Sequence, residues 1–484
     1  MKIVILTLAT LILAGCNAAV DSPDTDGPVT VDLFRWDLNV SGSDDISRLI
    51  ESEFGLQFDI ESPAWDEWPD RLSIRAAAGT LPEVFVGYGP MAGATYQQWI
   101  SEGLLLELND FVADYPHLSS YLEGYRHQQV NGSWYSIPVE DVTDHALILR
   151  QDWLDELGLA VPETLEELRS VAEAIRDRYG VTPLTSSAPH TAGFFWLNAF
   201  FYGHGSRWSD WVWSDSGNQW IPSWIADGSR HALETLRAFY RDGLLDPDFL
   251  TNSDARKREL FASGEAGILF HNEVDVYISG VTQRDPDARV AIVPPPAGPG
   301  GQGMWGLDGY FSAIMLRSDI EPEKRDAVLG FLDFLHSDEG EELFHIGIEG
   351  THFVRTADGI QPTDEPLLET APHAQLRTLR ALEWRWVLPW HPYSGEMARS
   401  VEIGRTYGVR PRFENIVTYA AADYEAQLLD LVYARYPQMV TSDRPLDTLW
   451  DEFVEQYLES GGRELIEEMN AHPRVPGPEE TADD

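Results

Sequence analysis

Cysteine is almost missing from this chain. Its 484 residues hold a single one, Cys16, so an internal disulfide framework is excluded and no oxidising compartment can be argued from paired thiols. Positive charge is scarce as well, with 34 Lys+Arg against 80 Asp+Glu and a net charge of -46, which leaves no basic footprint for nucleic acid. The 13 histidines include no His-Glu-x-x-His pair, and the chain has neither a Gly-x-Ser-x-Gly nucleophile elbow nor a phosphate-cradling Gly-x-x-x-x-Gly-Lys. After the first residues, no apolar run is long enough to cross a bilayer.

The negative charge is scattered through most of the predicted helices. That pattern fits a salty habitat, in which hydrated carboxylates favour solubility, better than a single cation-binding segment. The acids gather only at the end, where residues 473–484 read as a disordered acidic tail.

The lone cysteine is informative through its position. Lys2 starts residues 1–15, an apolar run covers Ile3 to Ala14, and Leu13-Ala14-Gly15-Cys16 resembles a bacterial lipobox. The resemblance implies a lipoprotein signal peptide over 1–15 and a Cys16 thiol acylated with a palmitate-type chain. Residues 16–28 then form the acylated end and a polar linker.

The chain is too long for one compact unit, and two α/β lobes are expected. Val29 to Trp36 alternates as a strand, Asp44 or Asp45 can cap a helix facing inward through Ile46, Leu49, Ile50 and Phe54, and Leu56 to Ile60 returns as a strand. A helix from Trp65 to Ala78 runs through Gly79-Thr-Leu-Pro-Glu into a buried strand. Ala146 to Leu149 is another strand, followed by a short helix stopped at Gly158. Thr164 and Glu167 make a capping box for a helix with Leu165, Leu168, Val171, Ala172 and Ile175 on one face, closed by Gly180.

Several of these stretches resemble the solute-binding proteins of ABC importers. They are Arg150-Gln-Asp-Trp-Leu-Asp-Glu-Leu-Gly-Leu with Pro162-Glu-Thr-Leu-Glu-Glu-Leu, Leu236-Arg-Ala-Phe-Tyr-Arg-Asp-Gly-Leu-Leu-Asp-Pro-Asp-Phe, Leu260-Phe-Ala-Ser-Gly-Glu-Ala-Gly-Ile-Leu-Phe, and Leu343-Phe-His-Ile-Gly-Ile-Glu-Gly-Thr-His-Phe. They occur in the family's order over most of the chain, and the last resembles the oligosaccharide-binding lipoprotein branch related to alginate binders. The resemblance implies an α/β, two-lobe periplasmic-binding-protein-like fold (type II) with a hinge and an interlobe ligand cleft. The lobes are assigned as 29–145 plus 265–305 and 146–264 plus 306–472. Crossings are placed near residues 141–149, within 307–316, and somewhere after Phe353.

The same resemblance implies a monomer anchored by lipid, exported, and partnered with the transmembrane subunits of a permease. It implies no catalysis and no cofactor. Relatives that bind alginate carry a calcium loop where this chain goes straight from Arg178-Tyr-Gly-Val-Thr to Pro183, so calcium is not expected.

The chemistry available for a ligand is aromatic, with 17 Trp, 18 Tyr and 20 Phe. An indole stacks on the apolar face of a pyranose while carboxylates, amides and arginine take the hydroxyls. The expected ligand contacts are Trp36, Asp37, Tyr88, Trp196, Glu273, Trp305, Asp308, Tyr310, Trp384, Arg385, Trp386 and Trp390. Trp65 and Trp213 read better as core. Arg35 and Arg385 are the candidates for a uronate. Glu349 and His352 read as a loop bonded to itself. Two other readings stay open, a secreted carbohydrate-active enzyme with a carboxylate pair, and a binder of peptides or polyamines.

Overall fold

The computed structural model describes residues 27–65, 67–87, 94–139, 146–188, 193–306, 312–357, 359–365, 367–380, 392–409, 412–413, 416, 418–473 and 475. The strands, in chain order, are β1 (Val29–Phe34), β2 (Leu56–Glu61), β3 (Val84–Gly87), β4 (Ile137–Pro138), β5 (Ala146–Arg150), β6 (Trp211–Ser214), β7 (Gln219–Pro222), β8 (Ile268–His271), β9 (Val290–Val293), β10 (Met304–Trp305), β11 (Ala313–Leu316), β12 (Phe353–Thr356), β13 (Gly359–Pro362) and β14 (Gly408–Val409). Helices pack around two separate sheets. The fold class is α/β, as expected.

The first sheet runs β2-β1-β3-β11-β4. β1 lies parallel to both β2 and β3, while β11 is antiparallel to β3 and β4. The opening βαβ unit is built by local chemistry. Asp44 accepts the Ser47 N–H and Ser47 Oγ accepts the Asp44 N–H, so four residues start the helix Asp45–Phe54, and Gly55 ends it with a left-handed φ of 57°. Ile46 and Ile50 of that helix, Val31 and Leu33 of β1, Ile314 and Leu316 of β11, and Val328, Leu329, Leu332 and Leu335 of the helix Pro322–Leu335 make one core.

The second sheet is β8-β5-β9, with both neighbours antiparallel to β5. β5 alternates, as a fully buried strand must. Leu147 and Leu149 face a large core shared with the helices Leu165–Tyr179, Asp227–Arg241, Tyr419–Thr441 and Leu446–Tyr457, while Ala146 and Ile148 face Phe261, Tyr277, Ile278, Val281 and Ile403. The capping box of Thr164 and Glu167 starts the first of those helices where the sequence places it.

Strand pairing redraws the assignment of segments. β8, β9 and β10, expected within 265–305 to complete the first lobe, pack in the second core, because β8 and β9 flank β5. Conversely β11, the helix Pro322–Leu335 and residues up to Leu379 belong to the first core and not to the second, because β11 fills the gap between β3 and β4. The chain therefore leaves the first core at Val139 and enters the second at Ala146. It leaves the second at Trp305, re-enters the first by Ala313, and returns to the second between Leu379 and Ile403.

One close approach depends on glycine. Gly300 N–H donates to Gly203 O at 2.8 Å. A Cβ on Gly300 would sit 2.2 Å from Gly205 N, and one on Gly298 2.2 Å from Gly203 O, so only bare backbone lets the proline- and glycine-rich connection lie against the helix Asn198–Gly203.

Candidate functional site

Aromatic side chains collect at the strand ends where the chain passes from one core to the other. In the first core, β1 and β2 run on side by side past their last paired residues. Arg35 N–H donates to Glu61 O at 3.1 Å, and Asp37 N–H to Pro63 O at 3.0 Å. Asp37 then turns with φ of 53°, and its carboxylate accepts the Trp65 N–H at 3.2 Å. This brings three indoles together. Trp36 stacks on Trp68 with centroids 4.4 Å apart and meets the edge of Trp65 at 5.4 Å. The Arg35 guanidinium lies 3.9 Å from the Trp36 ring centre, and its Nη1 donates to Trp36 O at 2.9 Å.

Within this set the three indoles differ in exposure. Trp36 is only 4% exposed and Trp68 2%, so they form the backing. Trp65, read from sequence as core, is half-buried and packs against the first core.

In the second core the set is built round His271, the last residue of β8, which lies opposite Ala146, the first of β5. Trp196, in the short 3-10 turn Phe195–Leu197, stacks on His271 at 4.0 Å and 24°. Phe195 meets the edges of Trp196 at 4.9 Å and Trp305 at 5.1 Å. Asn198 ties the set together, accepting the Trp305 N–H at 2.9 Å and donating to Phe195 O at 2.6 Å. The Glu273 N–H donates to His271 Nδ1 at 3.0 Å, which leaves the proton of the neutral ring on Nε2. The Glu273 carboxylate pairs with Arg258.

Behind Trp196 lies a fully buried cation. Lys257 Nζ is 4.3 Å from the indole ring centre and 2.9 Å from Asp254 Oδ1.

The structure thus joins Trp36 and Asp37 in one group and Trp196, Glu273 and Trp305 in another. Tyr88, Asp308, Tyr310, Trp384, Arg385, Trp386, Trp390 and Cys16 lie outside the described residues. Trp213 packs away from both groups, on Trp220 of the β6–β7 hairpin, which Asn470 clamps through the Trp220 N–H and O, both at 2.8 Å. Glu349 pairs with Arg355, and His352 Nδ1 accepts the Ile348 N–H at 2.9 Å, so that loop does hold itself.

Sequence reasoning missed Trp68, Phe195, Asn198, Lys257 and His271. Lys257 carried a usable signal, since the chain has only two other lysines, Lys2 and Lys324.

The chain crosses between the two cores beside these strand ends. Val139 N–H donates to Ser312 O at 2.9 Å, so the first exit from the first core and the later return to it are side by side. In the second core Ala146, the first described residue after the first crossing, pairs with His271, and Trp305 ends β10 just before the second crossing. Among the described residues, no group of three or more His, Cys, Asp or Glu side chains could hold a metal. The helix Leu165–Tyr179 closes at Gly180 and the chain pairs at once with β8, Ile268 N–H donating to Pro183 O at 2.9 Å. No described helix is long and apolar enough to cross a membrane.

Two α/β lobes exchanging chain three times, with aromatic walls at their strand ends, define a hinged binding protein. The chain belongs to the bacterial extracellular solute-binding proteins, whose sequence profile matches residues 46–342, more than half of its length. This is a family of binders and not of enzymes. The chain is 24% identical over 495 residues to Lipoprotein LipO of Bacillus subtilis (strain 168), covering 96% of each. It is 26% identical over 302 residues to the polygalacturonan/rhamnogalacturonan-binding protein YtcQ of the same organism, covering 60% of this chain and 59% of that one. Among solved structures, the alginate-binding protein AlgQ2 without calcium ion superposes with a TM-score of 0.71 at 18% identity over 92% of this chain and 98% of the other. The S. pneumoniae substrate-binding protein FusA in complex with kestose gives 0.67 at 17% identity, over 91% and 97%.

Proposed function

We propose that this protein is the ligand-capturing component of an ABC importer for oligosaccharides, held at the outer face of a membrane by acylated Cys16 and delivering its sugar to a permease. The observation that carries the reading is the pair of aromatic walls, Trp65 over Trp36 and Trp68 in one lobe, and Trp196 with Phe195 and Trp305 in the other. Each stands at strand ends beside the crossings, where open α/β sheets bind their ligands. A sugar touching both walls favours the closed arrangement, because only that arrangement makes both sets of contacts. The names of the relatives support sugars as the solute class, and the name of LipO supports the lipid anchor.

The acids near the walls argue against a polyamine. Asp254 is paired with Lys257, Glu273 with Arg258, and Asp37 holds the Trp65 backbone, so these carboxylates are already engaged.

The test is a thermal-shift screen of the chain from Asp21 onward against neutral and uronic oligosaccharides, with product analysis of each mixture. A binder raises the melting temperature with ligand excess over its dissociation constant and leaves the sugar unchanged. Cleaved sugar would establish an enzyme. Shifts only with peptides or polyamines would replace the sugar reading.

A further inference from the structure

Lys257 is one of three lysines in a chain that otherwise uses arginine for its fixed cations, and it is 0% exposed. The other described lysine, Lys324, makes an ordinary partly exposed pair with Glu83 at 2.8 Å. Lys257 has no such access to water. It sits one turn into the helix Asp254–Ser263, so its spacing from Asp254 puts ammonium and carboxylate on the same side of that helix. Asp254 is fixed in turn by Ser187 Oγ–H at 2.5 Å, and Ser186 Oγ–H holds Gly193 O at 2.8 Å, so the start of the helix buttresses the segment that carries Trp196.

An ammonium has three donors to satisfy. Lys257 Nζ meets one carboxylate oxygen, Asp254 Oδ1, at 2.9 Å. Its other close partner among the described residues is the π face of Trp196. That attraction is strong when the cation is dry and vanishes when the amine is neutral.

We propose that Lys257 is a positioning residue for the second half-site: its ammonium seats the Trp196 indole against His271, and the aromatic wall offered to a sugar depends on that charge. The inference rests on Trp196 forming part of the ligand site.

Burial pushes the Lys257 amine down to about 8, with Asp254 opposing the shift. The charged groups facing it are Asp254 and Arg258 on its own helix and Glu273 just beyond β8; Tyr277, on the helix Val274–Thr282, interacts with the same three groups, and His271 stacks on the Trp196 indole. Despite burial, its bonds and the adjacent cation hold Asp254 below the usual carboxylate range, and burial holds Tyr277 far above its ordinary value, so neither changes charge near Lys257's own titration.

The experiment uses the mature chain without ligand. Trp196 emission, taken as the difference between wild type and Trp196→Phe, is followed from about pH 6.5 to about pH 9.5, a window centred on the Lys257 value. One step near pH 8 is expected in wild type. It should be missing in Lys257→Arg, which stays charged, and in Lys257→Met combined with Asp254→Asn, which removes both charges together.

In a second arm, kestose and trigalacturonate serve as calorimetric probes. The one that binds should weaken about tenfold from pH 7 to pH 9 in wild type, following the charged fraction of the amine, and stay constant with pH in Lys257→Arg. A flat wild-type emission profile, an unchanged step in either variant, or the same pH dependence of binding in Lys257→Arg overturns the proposal. If neither probe binds at either pH, the emission step alone decides the role of Lys257, and the sugar reading is decided by the thermal-shift screen.

Discussion

Trp65 and Trp68 are three residues apart and do different work. Trp68 is sealed under Trp36, whereas Trp65 keeps part of its surface in water. Trp68→Ala is expected to cost about 3–5 kcal/mol of stability, as other buried Trp truncations do, read as a lower urea midpoint. Trp65→Ala removes a half-buried ring packed on the first core, so it should lower that midpoint by less than Trp68→Ala does, and weaken saccharide binding by about tenfold, the loss of one stacking platform of ~1.4 kcal/mol. Equal affinity in Trp65→Ala would remove it from the site. Two buried histidines are expected to make the first lobe sensitive to acid. His336 and His345 each donate Nδ1–H to a carbonyl one helical turn back, Leu332 O at 2.7 Å and Glu341 O at 2.9 Å, and burial pushes both rings down to about 4. The unfolded rings take up protons near their ordinary value of 6.5 while the folded ones resist, so this stability is full above 6.5 and is lost as pH falls toward 4. The loss reaches up to about 1.4 kcal/mol per pH unit for each ring. Urea unfolding at pH 7 and pH 5 should show it, and His336→Asn with His345→Asn should flatten it; an unchanged slope would place the acid sensitivity elsewhere.

Elements differ in how far they could be read in advance, and the difference follows the range of the forces that make them. The helix at Leu165 was legible because its cap, its apolar face and its terminal Gly180 lie within a few turns of one another. The place of β11 was not, because its buried run Ala313–Leu316 fits any central strand and only pairing with residues 84–87 and 137–138 decides its sheet. The site shows the same division. Trp196 and Trp305 could be singled out as aromatics in loop-like stretches, but their link through Phe195 and Asn198 needs a contact between distant segments. His271 was hidden for the same reason, since its neighbour Ala146 is set by antiparallel register. The glycine contact is an element-scale device as well. Gly300→Ala puts a methyl into the Gly205 backbone, and neither partner has a side chain to move aside. The expected cost is about 1–3 kcal/mol by overpacking, measured by urea unfolding, and Gly395→Ala, whose added methyl meets nothing within 4 Å, is the control. Equal midpoints for the two variants would show that the connection can shift without penalty.

At the scale of the whole molecule, a net charge of -46 acts against compactness. Among the described residues most ion pairs are at the surface, such as Arg126 with Glu123 and Arg444 with Glu452, and each of these contributes little in water. Long-range repulsion among the remaining carboxylates is then the larger effect, and salt screens it, with a Debye length falling from about 10 Å at 0.1 M to about 3 Å at 1 M. The melting temperature is expected to rise over that range of sodium chloride, and a fall would show that the surface pairs outweigh the repulsion. The exchange of strands between the cores has a consequence of another kind, in the order of synthesis. The first sheet has a gap between β3 and β4 until Ala313–Leu316 has been made, and the second core lacks its covering helices until residues past 419 have followed. Neither half can close on its own while the chain is emerging from a ribosome or a membrane channel. A polypeptide whose first 300 or so residues cannot settle stays open for threading, the first core being complete only once Leu379 has been made and the second only past residue 419.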